Sequence, residues 1–167
     1  MIFFLRNILR ETIYGNGLTA FLRIAVGMVF VWSGGIKLID PAGFGKIVGM
    51  YGILPEPLAP YAAVTIPAIE LVAGALLAAG YRIKPAALIA ASLLLVFIAV
   101  TAYSFARGER FDCGCFGLAR FGIDETIGLP LIARNIALFA VTIVLFRARR
   151  HVVSIEAIAE RTRLREL

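Results

Sequence analysis

The sequence predicts an all-α integral membrane protein: a four-helix bundle with a short interfacial helix after helix 1 and a Cys-Gly-Cys loop between helices 3 and 4. Composition is the first observation behind this reading. Of 167 residues, 60% are hydrophobic and only 17% charged, against roughly 45–50% apolar in soluble domains. Four long apolar stretches are the second, spanning residues 18–36, 61–79, 86–105 and 129–146. Each approaches the roughly 20 residues that a helix rising about 1.5 Å per residue needs to cross a hydrocarbon core about 30 Å thick. The brevity of the connection at residues 80–85 is the third, since antiparallel packing of spans two and three follows from it.

Residues 1–17 alternate Ile2, Phe3, Leu5, Ile8 and Leu9 with Arg6, Arg10 and Glu11, the pattern of a segment lying in the membrane interface. The first span, in the 18–146 transmembrane domain, is too long for the roughly 7–15-residue apolar region of a secretory signal and runs into Ser33-Gly34-Gly35-Ile36-Lys37 without a clear cleavage site. It is expected to be retained. After it, Asp40-Pro41-Ala42-Gly43 and Ile53-Leu54-Pro55-Glu56-Pro57 break regular helix, while Phe44, Ile47, Val48 and Tyr51 keep the spacing of one apolar face. The expectation is a short helix folded on the outer surface. Residues 80–85 force spans two and three to be antiparallel neighbours, and Pro85 suits a first helical turn. Residues 147–167 form a basic tail.

Basic residues orient the bundle. Arg6, Arg10, Arg82, Lys84, Arg147, Arg149, Arg150, Arg161, Arg163 and Arg165 fall on the side of the termini, against Lys37, Lys46, Arg107, Arg110 and Arg120 on the other. The positive-inside rule then places both termini in the cytoplasm and the cysteine loop outside. The net charge of +6 is concentrated in tails beside spans, where topology and anionic lipid account for it. No nucleic-acid motif accompanies it.

The chain has two cysteines, Cys113 and Cys115, separated by Gly114 and preceded by Asp112. On an oxidising face such a pair can cycle between dithiol and disulfide when a partner supplies or removes electrons. Closing a ring across one residue requires Cα atoms within about 4.4–6.8 Å, and Gly114 eases the bend. A shaping bridge remains open as an alternative. Metal binding has little support, because the sole histidine, His151, belongs to the opposite face and tetrahedral sites want about four ligands. Asp112 would either raise a thiol pKa by like charge or accept a proton during exchange.

Within the spans, Glu70 falls near the middle of the second. A lone carboxylate there is costly, so it is expected to be protonated, paired or facing a polar cavity. Arg134 and Asn135 sit about one and a half turns into the fourth span, and depth alone suggests a Glu70–Arg134 pair. This would either lock two helices or form a polar pocket beneath the cysteines. Arg23, about one turn from the inner face, is expected to snorkel. Lys37 ends the first helix as a boundary lysine, or approaches the cysteines and favours thiolate.

The run Ser33-Gly34-Gly35-Ile36-Lys37-Leu38-Ile39-Asp40-Pro41, then Leu54-Pro55, Glu70 with Gly74, Asp112-Cys113-Gly114-Cys115-Phe116-Gly117 and Arg134-Asn135 resembles the MauE group of DoxX-like membrane proteins. The likeness covers residues 20–146, and its specific part is the Asp-Cys-Gly-Cys-Phe-Gly run. It implies a redox-associated protein of the bacterial inner membrane, working with an extracytoplasmic thioredoxin-like partner in maturation of periplasmic proteins such as methylamine dehydrogenase, and linked to a membrane quinone. Relatives tend to carry an acid after the fourth-helix arginine; Asn135 departs from that, against a proton relay at this position. With one cysteine pair, a two-pair relay within a subunit is impossible. Electrons must pass to a cofactor, a partner or a second copy in a homo-oligomer. The competing expectations are a thiol-disulfide oxidoreductase, a non-catalytic anchor or assembly subunit with a structural disulfide, and a small-solute transporter using Glu70 and Arg134.

Overall fold

A computed structural model describes residues 16–109, 113 and 126–148. The N-terminal segment before residue 16, the tail beyond residue 148, and Asp112, Gly114 and Cys115 lie outside the described residues. Among the described residues there are five α-helices: α1 (Asn16–Ile39), α2 (Pro41–Met50), α3 (Ala59–Ala79), α4 (Ile83–Ala106) and α5 (Leu129–Arg147), with a single 3₁₀ turn over Glu56–Leu58. Four of them, α1, α3, α4 and α5, are long and apolar enough to cross a membrane.

The distribution of polarity fits a lipid solvent. Phe21, Met28, Trp32, Tyr61, Val72 and Leu95 point outward and exposed, whereas Thr19, Arg23, Ser33, Lys37, Glu70, Asn135 and Thr142 are buried. So extended an apolar surface would be an aggregation liability in water, but it is the expected exterior in hydrocarbon.

Glycine makes the tightest contact in the bundle. Gly27 and Gly34, two turns apart on α1, share a face against α3. A Cβ at Gly27 would meet Ala78 N and Gly74 O at 2.6 and 2.7 Å, and one at Gly34 would meet Pro67 O and Leu71 N at 2.6 and 2.8 Å. Gly74 answers from α3, where a Cβ would meet Gly27 O at 2.7 Å. Because lipid is as apolar as leucine, helices in membranes associate through such close backbone packing rather than through hydrophobic burial. Their antiparallel register follows: Gly27 lies level with Gly74 to Ala78, and Gly34 with Pro67 to Leu71.

The other interfaces are looser. Helices α4 and α5 meet through Ala86, Ala87, Ala90, Leu94 and Leu145, with Val26, Phe30 and Leu77 completing that core. The α3–α4 turn closes at Gly80 in the left-handed conformation (φ 74°), its N–H donating to Leu76 O at 2.9 Å. This is the common C-terminal glycine signature.

Helix α2 forms where the sequence places it. Asp40 caps it, its Oδ1 accepting from Gly43 N at 2.9 Å, and Pro41 fills the first turn. Phe44 is its buried anchor, and Gly45 lies close enough to α3 that a Cβ there would touch Ala63 Cβ at 3.5 Å. The short helix thus folds back on the start of α3, at the end of the bundle where Cys113 sits.

Arg23 differs from its expected snorkelling. It is buried, with its guanidinium packed on Gly80 so closely that a Cβ there would collide with it. It reaches the level of the α3–α4 turn, but the protein encloses it, because a glycine opposite leaves room for the head group inside the bundle.

Candidate functional site: a buried ion pair below Cys113

Glu70 pairs with Lys37. Lys37 Nζ donates to Glu70 Oε1 at 3.0 Å and to Oε2 at 2.8 Å, and Ser33 Oγ donates to Oε2 at 3.3 Å. Lys37 is 4% exposed and Glu70 3%. The expected Glu70–Arg134 pair is not formed; Arg134 makes its polar contact elsewhere.

The reason lies in the glycine seam. With Gly34 against Pro67 and Leu71, the Ser33–Lys37 face of α1 is held against Glu70. Side chains lean toward the N-terminus of their helix, so Lys37, about a turn beyond Ser33, extends back to the level of the carboxylate. Lys37 and Ser33 lie four residues apart on one face, and together they supply three hydrogen bonds to one buried carboxylate. That satisfies the condition under which a buried ion pair is tolerated.

Two rings also flank the ammonium. Lys37 Nζ lies 5.1 Å from the Phe44 centroid and 4.7 Å from that of Phe97, within the roughly 6 Å of a cation–π contact. Phe44 comes from α2, Phe97 from α4 and Glu70 from α3, so one nitrogen of α1 draws four helices together. Phe97 also packs against the cluster of Tyr51, Cys113, Ile127 and Leu131. The ion pair and Cys113 are therefore two faces of one aromatic wall.

Cys113 is disulfide-bonded, and Cys115 is the chain's other cysteine. Cys113 is 0% exposed. The sequence leads one to expect an outward-facing pair; this member of it is enclosed by apolar side chains.

Two cavities flank Phe97 and Leu93. One, about 30 Å³, is lined by Ser33, Lys37, Glu70 and Asn135 among apolar neighbours. Asn135 is 4% exposed, and its Nδ2 has no hydrogen-bond partner among the described residues. The other, about 320 Å³, is apolar and is bounded by Phe44, Val48, Tyr51, Ile66, Val96, Phe97 and Val100. Among the described residues no group of three or more His, Cys, Asp or Glu could hold a metal.

Of the sequence-derived candidates, the structure thus brings together Lys37, Glu70 and Asn135, sets Cys113 on the far side of Phe97, and leaves Arg134 out of the ion pair. Ser33, Phe44 and Phe97 were not anticipated in this role. For Ser33 the signal was present, as a hydroxyl four residues before a lysine within an apolar helix. For the two phenylalanines no local signal exists.

This combination defines a multi-pass membrane protein whose four-helix bundle encloses a charged site next to a disulfide. Residues 15–148 match the family model described as "Methylamine utilisation protein MauE", and the chain belongs to that family. It is 33% identical over 123 residues to the methylamine utilization protein MauE of Paracoccus denitrificans, an alignment covering 73% of this chain and 64% of that protein. The chain thus spans a little under two thirds of the relative's length. No solved structure matches it.

Proposed function

We propose that the protein is a membrane thiol-disulfide exchange component acting in methylamine utilisation, in maturation of periplasmic proteins such as methylamine dehydrogenase. The disulfide at Cys113, next to the wall that holds the Lys37–Glu70 pair, carries this reading. Its partner is an extracytoplasmic thioredoxin-like protein. Exchange balances simply: one S–S bond breaks and one forms, two electrons and two protons passing between the Cys113–Cys115 pair and the partner's cysteines. A membrane quinone is the proposed second carrier, oxidising the dithiol to disulfide as it becomes quinol. The charge asymmetry of the loops supports cytoplasmic termini and an extracytoplasmic cysteine loop in the bacterial inner membrane.

Burial of Cys113 divides the labour within the pair. A partner thiolate needs access to the sulfur it attacks, so Cys115 is the proposed point of attack and Cys113 the leaving sulfur. Single-cysteine variants test this: Cys113→Ser should trap a mixed disulfide with the partner and Cys115→Ser should not. The same burial favours a second reading, a membrane anchor or assembly subunit with a shaping disulfide. That reading requires normal partner redox cycling when both cysteines are serine, and no trapped species from either single-cysteine variant.

A further inference from the structure

We infer that the two cavities on either side of Phe97 and Leu93 form one binding site for a lipid-soluble molecule with a planar ring and a carbonyl oxygen. This deepens the proposed quinone link by placing its subsite, and rests on that reading only for the ligand's redox role.

The argument starts from Asn135 Nδ2, a donor buried in a membrane span and without a hydrogen-bond partner among the described residues. An unsatisfied buried donor costs on the order of a full hydrogen bond, more in hydrocarbon than near water. Such a group, bordering a largely apolar cavity, is satisfied by an acceptor oxygen placed there. Lys37, paired with the Glu70 carboxylate, and Ser33 border the same space, so an oxygen placed there meets the Asn135 amide donor beside an ion pair. That space, about 30 Å³, holds one or two water-sized groups at about 10–15 Å³ each, too few for the body of a ring-bearing ligand. The body of the ligand must lie elsewhere.

The neighbouring 320 Å³ cleft supplies the room and the chemistry. Leu93 and Phe97 line both spaces, so the two adjoin across these side chains. Phe44, Tyr51 and Phe97 offer ring faces to a planar guest, which aromatic side chains favour in offset or edge-on geometry. Val96, on the rim, is exposed on the lipid side of α4, so the guest enters from the membrane. A bulk lipid acyl chain would fill the cleft but leave Asn135 unsatisfied; the carbonyl distinguishes the two occupants.

The test uses the full-length protein in phospholipid nanodiscs, with decylubiquinone as probe and decylbenzene as its carbonyl-free counterpart. The chain's single tryptophan, Trp32, adjoins Ser33 and reports binding by quenching. Saturable quenching by decylubiquinone is expected. Asn135→Leu should weaken it about tenfold, the loss of one buried hydrogen bond, and Val96→Phe should weaken it by narrowing the cleft. Decylbenzene should bind weakly and indifferently to Asn135. Thiol exchange is read separately, by trapping of the mixed disulfide with the partner, so that its failure leaves saturable decylubiquinone quenching standing. Quenching that never saturates, or that is equal in parent and Asn135→Leu with both folded by thermal melt, overturns the proposal in favour of acyl chains alone.

Discussion

The two ends of the α1–α3 interface solve opposite problems with the same pair of helices. Toward Gly80, Gly27 and Gly74 bring the backbones into contact and leave no space between them. Toward Cys113, Ser33, Lys37 and Glu70 fill the seam with a charge pair, and cavities open beside it. The first arrangement spends close packing on rigidity. The second depends on it, because a buried ion pair is tolerated only when its geometry is fixed. The dry glycine end is thus the frame that lets the other end hold charge and empty volume within a membrane.

The largest effect should follow from breaking the frame. Gly74→Leu puts a side chain where even a Cβ meets Gly27 O at 2.7 Å and Val31 N at 2.8 Å. Loss of the folded monodisperse species in detergent is expected, seen by fluorescence-detected size exclusion. Removing one charge at the other end comes next. Glu70→Ala strands the Lys37 ammonium and should cost about 3–5 kcal/mol, while Lys37→Met/Glu70→Leu should recover most of it. Equal thermal stability of the single and double variants would show that the pair is not what the frame supports.

A smaller effect belongs to Gly80. Alanine there bears a left-handed conformation at about 1–2 kcal/mol and strikes the Arg23 guanidinium. Adding Arg23→Ala should relieve the collision but not the backbone cost, a coupling measurable by a double-mutant cycle. Thr142→Val should change stability least, by about 0.5 kcal/mol or less. The Thr142 hydroxyl donates to Leu138 O of its own helix at 2.8 Å, and such back-bonding contributes little or slightly bends the helix.

Most of the architecture is legible in the sequence, because span length, turn residues and the Asp40-Pro41 cap act locally. The exposed short helix after the first span is legible for the same reason. The partner of Glu70 is not. Depth counting puts Arg134 within reach, but the choice is made by glycines that fix the register of α1 against α3, and by the lean of Lys37 along its helix. A one-turn error in depth outweighs any preference for arginine. Arg23 is misread likewise: from the sequence it is a boundary cation, and only the cleft left by Gly80 shows that protein surrounds it. Enclosure of Cys113 depends on Tyr51, at the end of α2, and on Ile127 and Leu131, at the start of α5, two parts of the chain far apart in sequence.

The position of Lys37 between Phe44 and Phe97 has a spectroscopic consequence. Protons held over the faces of two aromatic rings are shifted upfield by ring currents, and the ε-methylene of Lys37 should resonate apart from every exposed lysine. Phe97 packs against the cluster that contains Cys113, so any movement of that ring on reduction of the disulfide should displace the same signal. A single isotopically labelled lysine position would then report the redox state of a sulfur that no reagent in solution reaches directly.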